Sequence, residues 1–353
     1  MSISVFEHPF FSGFMGDAEI ASLFSADADV AAMLRFETEL AKAEAECGIF
    51  PVETANAIVT HLAGFVPDMA ALSDGMARDG VVVPEFVRQL RRKVGDAASD
   101  KVHFGATSQD VIDTSLVLRL KAATGILMER LAVLTAGLEA LSKRDGSLPL
   151  MGYTRMQAAI AITAGNRISS WKEPLERHHA RLAAFSKSGF ALQFGGAAGT
   201  LEKLADKGPA VRAALAVRLD LADQPQWHSQ RDGLAEFAAL LSLVSGCLGK
   251  LGQDIALLAQ AGSEIRLSGG GGSSAMPHKQ NPVTAELLVT LARFNAVQLS
   301  AMHQSLVHEQ ERSGAAWMLE WMILPQMVIA TGAALSTARR LIGQIERLGS
   351  EKD

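Results

Sequence analysis

The sequence predicts an all-α protein built on a bundle of long helices, and three observations predict it. Strand signals are scarce: alternating runs of Val, Ile, Thr and Tyr are few, and no Asn-Gly pair is present to close a hairpin. Apolar residues recur instead in rows that step by alternating threes and fours, the longest being Leu120, Thr124, Leu127, Leu131, Leu134, Leu138 and Leu141. That alternation averages about 3.5 residues per turn and keeps one seam facing a partner helix, as in left-handed bundles. Finally, a helix over roughly residues 111–144 would span about 50 Å, longer than a single compact domain is wide.

In chain order, Gly48-Ile49-Phe50-Pro51 ends a first helix around residues 33–47, and Asp145-Gly146-Ser147-Leu148-Pro149 ends the long helix. A second row runs Ile168, Trp171, Leu175, His178, Leu182, Phe185, before the Gly-rich turn Gly195-Gly196-Ala197-Ala198-Gly199-Thr200. A third runs Leu234, Phe237, Leu241, Val244, Leu248, Leu251, Ile255, Leu258, and a fourth Trp321, Leu324, Val328, Thr331, Leu335, Ala338, Ile342, Ile345. Between them lies a Gly/Ser/Pro loop over residues 268–282. The expected organisation is a small helical N-terminal domain (1–103), a long helical bundle (104–348) with its last helix reaching about Leu348, and a short tail (349–353). Seams this long bury against one another, often across subunits, so an oligomer is expected.

The 353 residues are 48% hydrophobic and 20% charged, enough to bury a large core and too apolar for disorder. A net charge of −5 without a basic stripe argues against nucleic acid, as do 6% aromatics with one Tyr. Cys47 and Cys247 form neither a disulfide framework nor a metal motif. No basic residue precedes Arg35, so the charged start of a signal peptide is not expected, and no unbroken apolar run reaches the ~18 residues of a membrane span. A cytoplasmic protein without membrane contact is expected.

The most unusual segment is Gly269 to Pro282. A flexible linker explains its four glycines but not the ordered residues after them. A phosphate cradle would need a preceding strand and a Gly-Lys-Ser/Thr ending. A mobile lid would bring backbone N–H groups and Lys279 to an anion.

Gly272-Ser273-Ser274-Ala275-Met276-Pro277-His278-Lys279-Gln280-Asn281 resembles the signature loop of the fumarase/aspartase superfamily, G-S-S-x-M-P-x-K-x-N. His103-Phe104-Gly105-Ala106-Thr107-Ser108-Gln109-Asp110 is similar to its first block, H-x-G-x-T-S-x-D, and Gly152-Tyr153-Thr154-Arg155-Met156-Gln157 to its second, G-x-T-x-x-Q. Order and separation agree, and the resemblance covers nearly the whole chain. It implies three helical domains around a bundle built from four subunits; here the C-terminal third domain is expected to be absent or truncated. One position departs. Superfamily lyases acting on succinyl groups carry His where this chain has Arg155. Arginine stays cationic and shuttles protons poorly, but it binds carboxylates well. That disfavours an adenylosuccinate or argininosuccinate lyase and favours the branch of 3-carboxy-cis,cis-muconate cycloisomerases. Residues 80–91, and 308–321 with Trp317, Glu320 and Trp321, are similar to the same branch. A non-catalytic relative is the remaining alternative, and intact Ser273, Lys279 and Asn281 stand against it.

The resemblance implies an isomerase of aromatic catabolism (the protocatechuate and β-ketoadipate route) closing the muconate to 4-carboxymuconolactone through an aci-carboxylate, in a homotetramer with shared sites. It puts Ser273 in the proton-transfer role, with Ser274 as rival. Loop N–H groups and Lys279 would stabilise the alkoxide, and His103 is the remaining titratable group near the blocks. Lys279, Arg155 and Arg312 suit the substrate carboxylates, with Thr107, Ser108, Gln157 and Asn281 as hydrogen-bond donors and Trp317 beside them. The residues alone leave alternatives: Arg312 could pair with Glu309 or Glu311, Thr154 and Gln157 could cap a helix, and His103 could be structural. No metal and no cofactor are expected.

Overall fold

The computed structural model describes residues 4–276 and 278–350; Pro277 of the signature loop lies outside them. Two short helices, α1 (Ser12–Met15) and α2 (Ala18–Ser22), lead into α3 (Ala26–Glu46). The Ser25 hydroxyl starts α3 by accepting the Ala28 N–H at 3.2 Å, so this helix begins well before the expected residue 33. Next come α4 (Val52–Leu62), α5 (Met69–Asp79) and α6 (Val83–Val94). The long helix α7 (Ser108–Asp145) has 38 residues. It begins at Ser108 rather than near 111 because Thr107 and Asp110 form a capping box.

A hairpin of β1 (Pro149–Thr154) and β2 (Gln157–Thr163) connects α7 to α8 (Ala164–Ser188). The scarcity of strand signals concealed it for a physical reason. Its turn residues Arg155 and Met156 both take positive φ, 47° and 67°, where Asn-Gly is the usual choice. Thr154 and Gln157 face each other across the turn and cap no helix. The chain continues through α9 (Gly208–Leu219), α10 (Asp232–Ala261), β3 (Ile265–Leu267), α11 (Val283–Gln304), α12 (Ala315–Gly343) and β4 (Ile345–Leu348). The last helix therefore stops at Gly343, short of the expected Leu348, and the chain goes on as β4, antiparallel to β3.

The seams fold as their spacing requires. Every residue of the rows on α7, α8 and α10 is buried, and in the α12 row only Trp321 is half-buried. Polar members of the seams are satisfied locally: the Thr124 and Thr331 hydroxyls donate to the carbonyls of Leu120 and Met327, both at 2.8 Å. On α11 the buried Asn295 amide donates to Ser245 and Thr331, a polar layer tying α10, α11 and α12 in one register.

Two apolar cores result. One fills the bundle of α7, α8, α10, α11 and α12, and also takes Phe6 and Ile20 from the N-terminal segment. The other packs α3–α6 against Val111 and against Leu192 to Leu219. α9, which the sequence places with the bundle, thus folds back onto α3. By length and composition α10 and α12 are each apolar enough to cross a membrane, which a search for unbroken apolar runs misses; most of the apolar stretch in each is buried inside the bundle.

Candidate active site

One end of the bundle is organised by Asp110, in the first turn of α7 and fully buried. Its Oδ1 accepts from Gly195 N (2.9 Å), Gln193 Nε2 (3.1 Å) and His228 Nε2 (2.9 Å), and its Oδ2 from Thr107 N (3.0 Å) and Gly196 N (2.9 Å). One carboxylate therefore joins the first block to the Gly-rich turn. Gly196 must be glycine here: its φ is +72°, and a Cβ would lie 2.9 Å from the Gly105 carbonyl oxygen. A turn further on, Asp113 and Glu320 clamp Arg231 from both sides. Arg231 donates to Asp113 Oδ2 at 2.6 Å and to Glu320 Oε1 at 2.9 Å, with a further bond to Glu320 Oε2. Burial works against the guanidinium charge, but Asp113 and Glu320 outweigh it and drive its pKa upward, so Arg231 is a permanent buried cation.

Above this base lie His103, Thr107, Ser108 and Arg312. Thr107 and Ser108 are half-buried at the start of α7. Arg312 makes neither of the ion pairs considered for it. Its Nε donates to Gln109 Oε1 at 2.9 Å and its Nη2 to the Ala197 carbonyl at 3.1 Å, which hold it over the first block. Trp317 requires a correction. It is 3% exposed and donates its indole N–H to Asp113 at 2.9 Å, so it supports the Arg231 cluster from below and offers no surface to a substrate.

The remaining expected residues sit at the opposite end. The hairpin carries exposed Arg155 and Gln157 where α7 finishes, and the signature loop springs from the same end. The Met151 N–H donates to Glu264 Oε1 at 2.6 Å, and the Gly349 N–H to the Glu264 carbonyl at 2.7 Å, which bind hairpin, loop base and β4 together. Gly271 and Asn281 pair in both directions, N–H to carbonyl, at 2.8 and 2.9 Å, closing the loop at its neck. Inside it, Ser273 Oγ accepts the N–H groups of Met276 (3.1 Å) and Ala275 (3.4 Å). Donors so placed support an oxyanion, and Ser274 has no such setting among the described residues. Lys279 is exposed nearby, with its N–H on the Met276 carbonyl.

At 1.5 Å per residue the 38 residues of α7 separate the two ends by about 57 Å. One chain thus brings His103, Thr107, Ser108 and Arg312 together, and separately gathers Arg155, Gln157, Ser273, Lys279 and Asn281. The sequence did not single out Asp113, His228, Arg231 and Glu37, and Glu320 enters there only as part of a resemblance. A signal existed for Glu37 and Glu44: they are charged residues at core spacing beside Phe36, Leu40 and Ala41. Among the described residues no three His, Cys, Asp or Glu side chains converge as a metal requires.

Comparison with known proteins bears on both fold and site. A family model described as lyase matches residues 18–297. The chain is 38% identical over 345 residues to a 3-carboxy-cis,cis-muconate cycloisomerase of Pseudomonas aeruginosa, covering 95% of this chain and 75% of that protein. It is also 38% identical to a protein of the same name from Bradyrhizobium diazoefficiens, covering 86% and 69%. The crystal structure of 3-carboxy-cis,cis-muconate lactonizing enzyme from Pseudomonas putida superposes with a TM-score of 0.90 at 36% identity, covering 96% of this chain and 77% of that one.

Proposed function

This chain belongs to the lyase family, within the fumarase/aspartase superfamily, and on that premise we propose that it is a 3-carboxy-cis,cis-muconate cycloisomerase. One observation carries the reading. The signature loop presents Ser273 as an oxygen supported by backbone N–H groups, while the second block offers the fixed cation Arg155 where succinyl lyases have a proton-transferring His.

In the forward direction a muconate carboxylate oxygen attacks the carbon β to a second carboxylate. The C–O bond of the lactone forms, and the electron pair of the double bond moves into the second carboxylate, giving an aci-carboxylate. Ser273 then delivers its hydroxyl proton to the α carbon and regains one from solvent, so the ring closes with net uptake of one proton. Run backward, the Ser273 alkoxide removes the α proton and the lactone carboxylate leaves. The N–H groups of Ala275 and Met276 and the charge of Lys279 stabilise the alkoxide and the aci-carboxylate. Arg155, Arg312 and Asn281 hold carboxylates, with Thr107, Ser108 and Gln157 as further donors and His103 as the second proton-handling group. No metal or cofactor is needed to balance these steps.

Because the blocks lie about 57 Å apart in one chain, a working site takes them from different chains packed head to tail. The apolar residues left outside support that assembly: Tyr153, Met156 and Ile160 on the hairpin, Leu243 and Leu257 on α10, Val297 on α11, Met318 and Met322 on α12. We read the assembly as a homotetramer of a soluble cytoplasmic enzyme in the β-ketoadipate route.

The test follows the ultraviolet absorbance of the conjugated diene in 3-carboxy-cis,cis-muconate. The wild-type protein is expected to abolish it. Ser273→Ala is expected to lower kcat by about 100-fold or more, and Ser274→Ala to leave it near wild type. No loss of absorbance with folded, assembled protein would refute the substrate; a larger effect at Ser274 would move the proton-transfer role there.

A further inference from the structure

We propose that Glu37 is a positioning residue for this reaction: it holds His103 with the proton on Nδ1, leaving the other ring nitrogen, Nε2, to act at the site. The proposal rests on the cycloisomerase reading for what the imidazole acts upon, and on geometry for the rest.

Glu37 Oε1 lies 2.6 Å from His103 Nδ1, with the two side chains 1% and 13% exposed. A carboxylate has only acceptors to offer, so the shared proton belongs to the imidazole and Nδ1 carries it. Nε2 makes no hydrogen bond with any described residue, and the residual exposure of the ring leaves it an open edge. The backbone reinforces the aim. His103 takes a φ of +62° and Gly105 one of +71°, four and two residues before Thr107. Left-handed backbone at a non-glycine residue costs energy and persists where the surroundings impose it, often beside functional groups.

The surroundings of Glu37 fit a positioning role better than a packing one. The residue sits in the apolar seam of α3 between Phe36 and Leu40, where an apolar side chain would pack at less cost. Its second oxygen is buried without a hydrogen bond, and so are both oxygens of Glu44, two turns along the same helix. Burial first, and the charge of Glu37 second, push Glu44 up to about 9, while Lys101 pulls the other way. At neutral pH Glu44 is therefore an uncharged acid, and Glu37 is the member of this buried pair that faces His103. The arrangement resembles other acid–imidazole pairs in which the carboxylate sets the tautomer of a working imidazole.

The experiment uses the full chain labelled with 15N-histidine, and the His103 signals are assigned by their disappearance in His103→Gln. In the wild type, Nδ1 is expected to give the signal of a protonated ring nitrogen. In Glu37→Met the proton is expected to move to Nε2, and kcat to fall by about tenfold or more. KM should change by less than about twofold, since substrate binding groups are untouched. Glu37→Gln is isosteric and guards against a folding defect; its amide oxygen still accepts from Nδ1, so its kcat is expected between the other two. A bare Nδ1 in the wild type, or nitrogen spectra and kcat unchanged in both variants, overturns the proposal. The spectra need no substrate. A wild-type protein that shows the expected tautomer but leaves the muconate intact therefore counts against the substrate, not against the Glu37–His103 pair.

Discussion

Glu44 shows how a single buried residue couples to pH. Its carboxyl stays protonated in the folded chain up to about 9, whereas an unfolded glutamate releases its proton near 4.5. The folded state thus binds the extra proton. The stability tied to it is complete below about pH 4.5 and falls by about 1.4 kcal/mol per pH unit as pH rises toward 9. Glu44→Gln removes that dependence without changing shape. The variant is expected to melt above wild type at pH 8, with the gain shrinking to nothing near pH 4.5. Thermal melts across that range check it, and a gain that does not grow with pH would mean the carboxylate has a charged partner. At this scale much of the proposed site is legible in the sequence. Ser273, Lys279 and Asn281 announce themselves by their order, and Arg155 by its departure from the expected His. Asp113, His228 and Arg231 work through partners up to about two hundred residues away, and no local spacing reports such pairs. Trp317 was misplaced for the same reason: its partner Asp113 lies on α7.

At the scale of elements, the long helices were legible because their seams are buried along their full length, so spacing and burial coincide on α7, α8, α10 and α12. What escaped was irregular or non-local. The hairpin escaped because its positive-φ turn is made of Arg155 and Met156, and β3 because its partner β4 lies some eighty residues on. The α10–α11 contact depends on small residues that a search for apolar rows passes over. A Cβ on Gly252 would come within 2.5 Å of the Ala285 carbonyl oxygen, which is backbone and cannot move aside. Gly252→Ala is therefore expected to cost about 1–3 kcal/mol despite its better helix propensity, read as a lower Tm. An unchanged or higher Tm would show that the two helices separate easily.

For the whole molecule, the decisive quantity is the length of α7. Two sets of candidate site residues stand about 57 Å apart on one chain, and the loop between Gly271 and Asn281 is closed at its neck and too short to bridge them. The sequence signalled the long bundle, but not which residues share an end, because that follows from how the helices alternate in direction. Each site is proposed to combine the first-block end of one chain with the loop end of another. This is tested by mixing two inactive variants, Arg312→Ala and Ser273→Ala, allowing their subunits to exchange, and following diene loss. The mixture is expected to turn over 3-carboxy-cis,cis-muconate far faster than either variant alone, because some sites then hold an intact Arg312 and an intact Ser273 from different chains. A mixture that exchanges subunits yet stays as slow as its parents would contradict it.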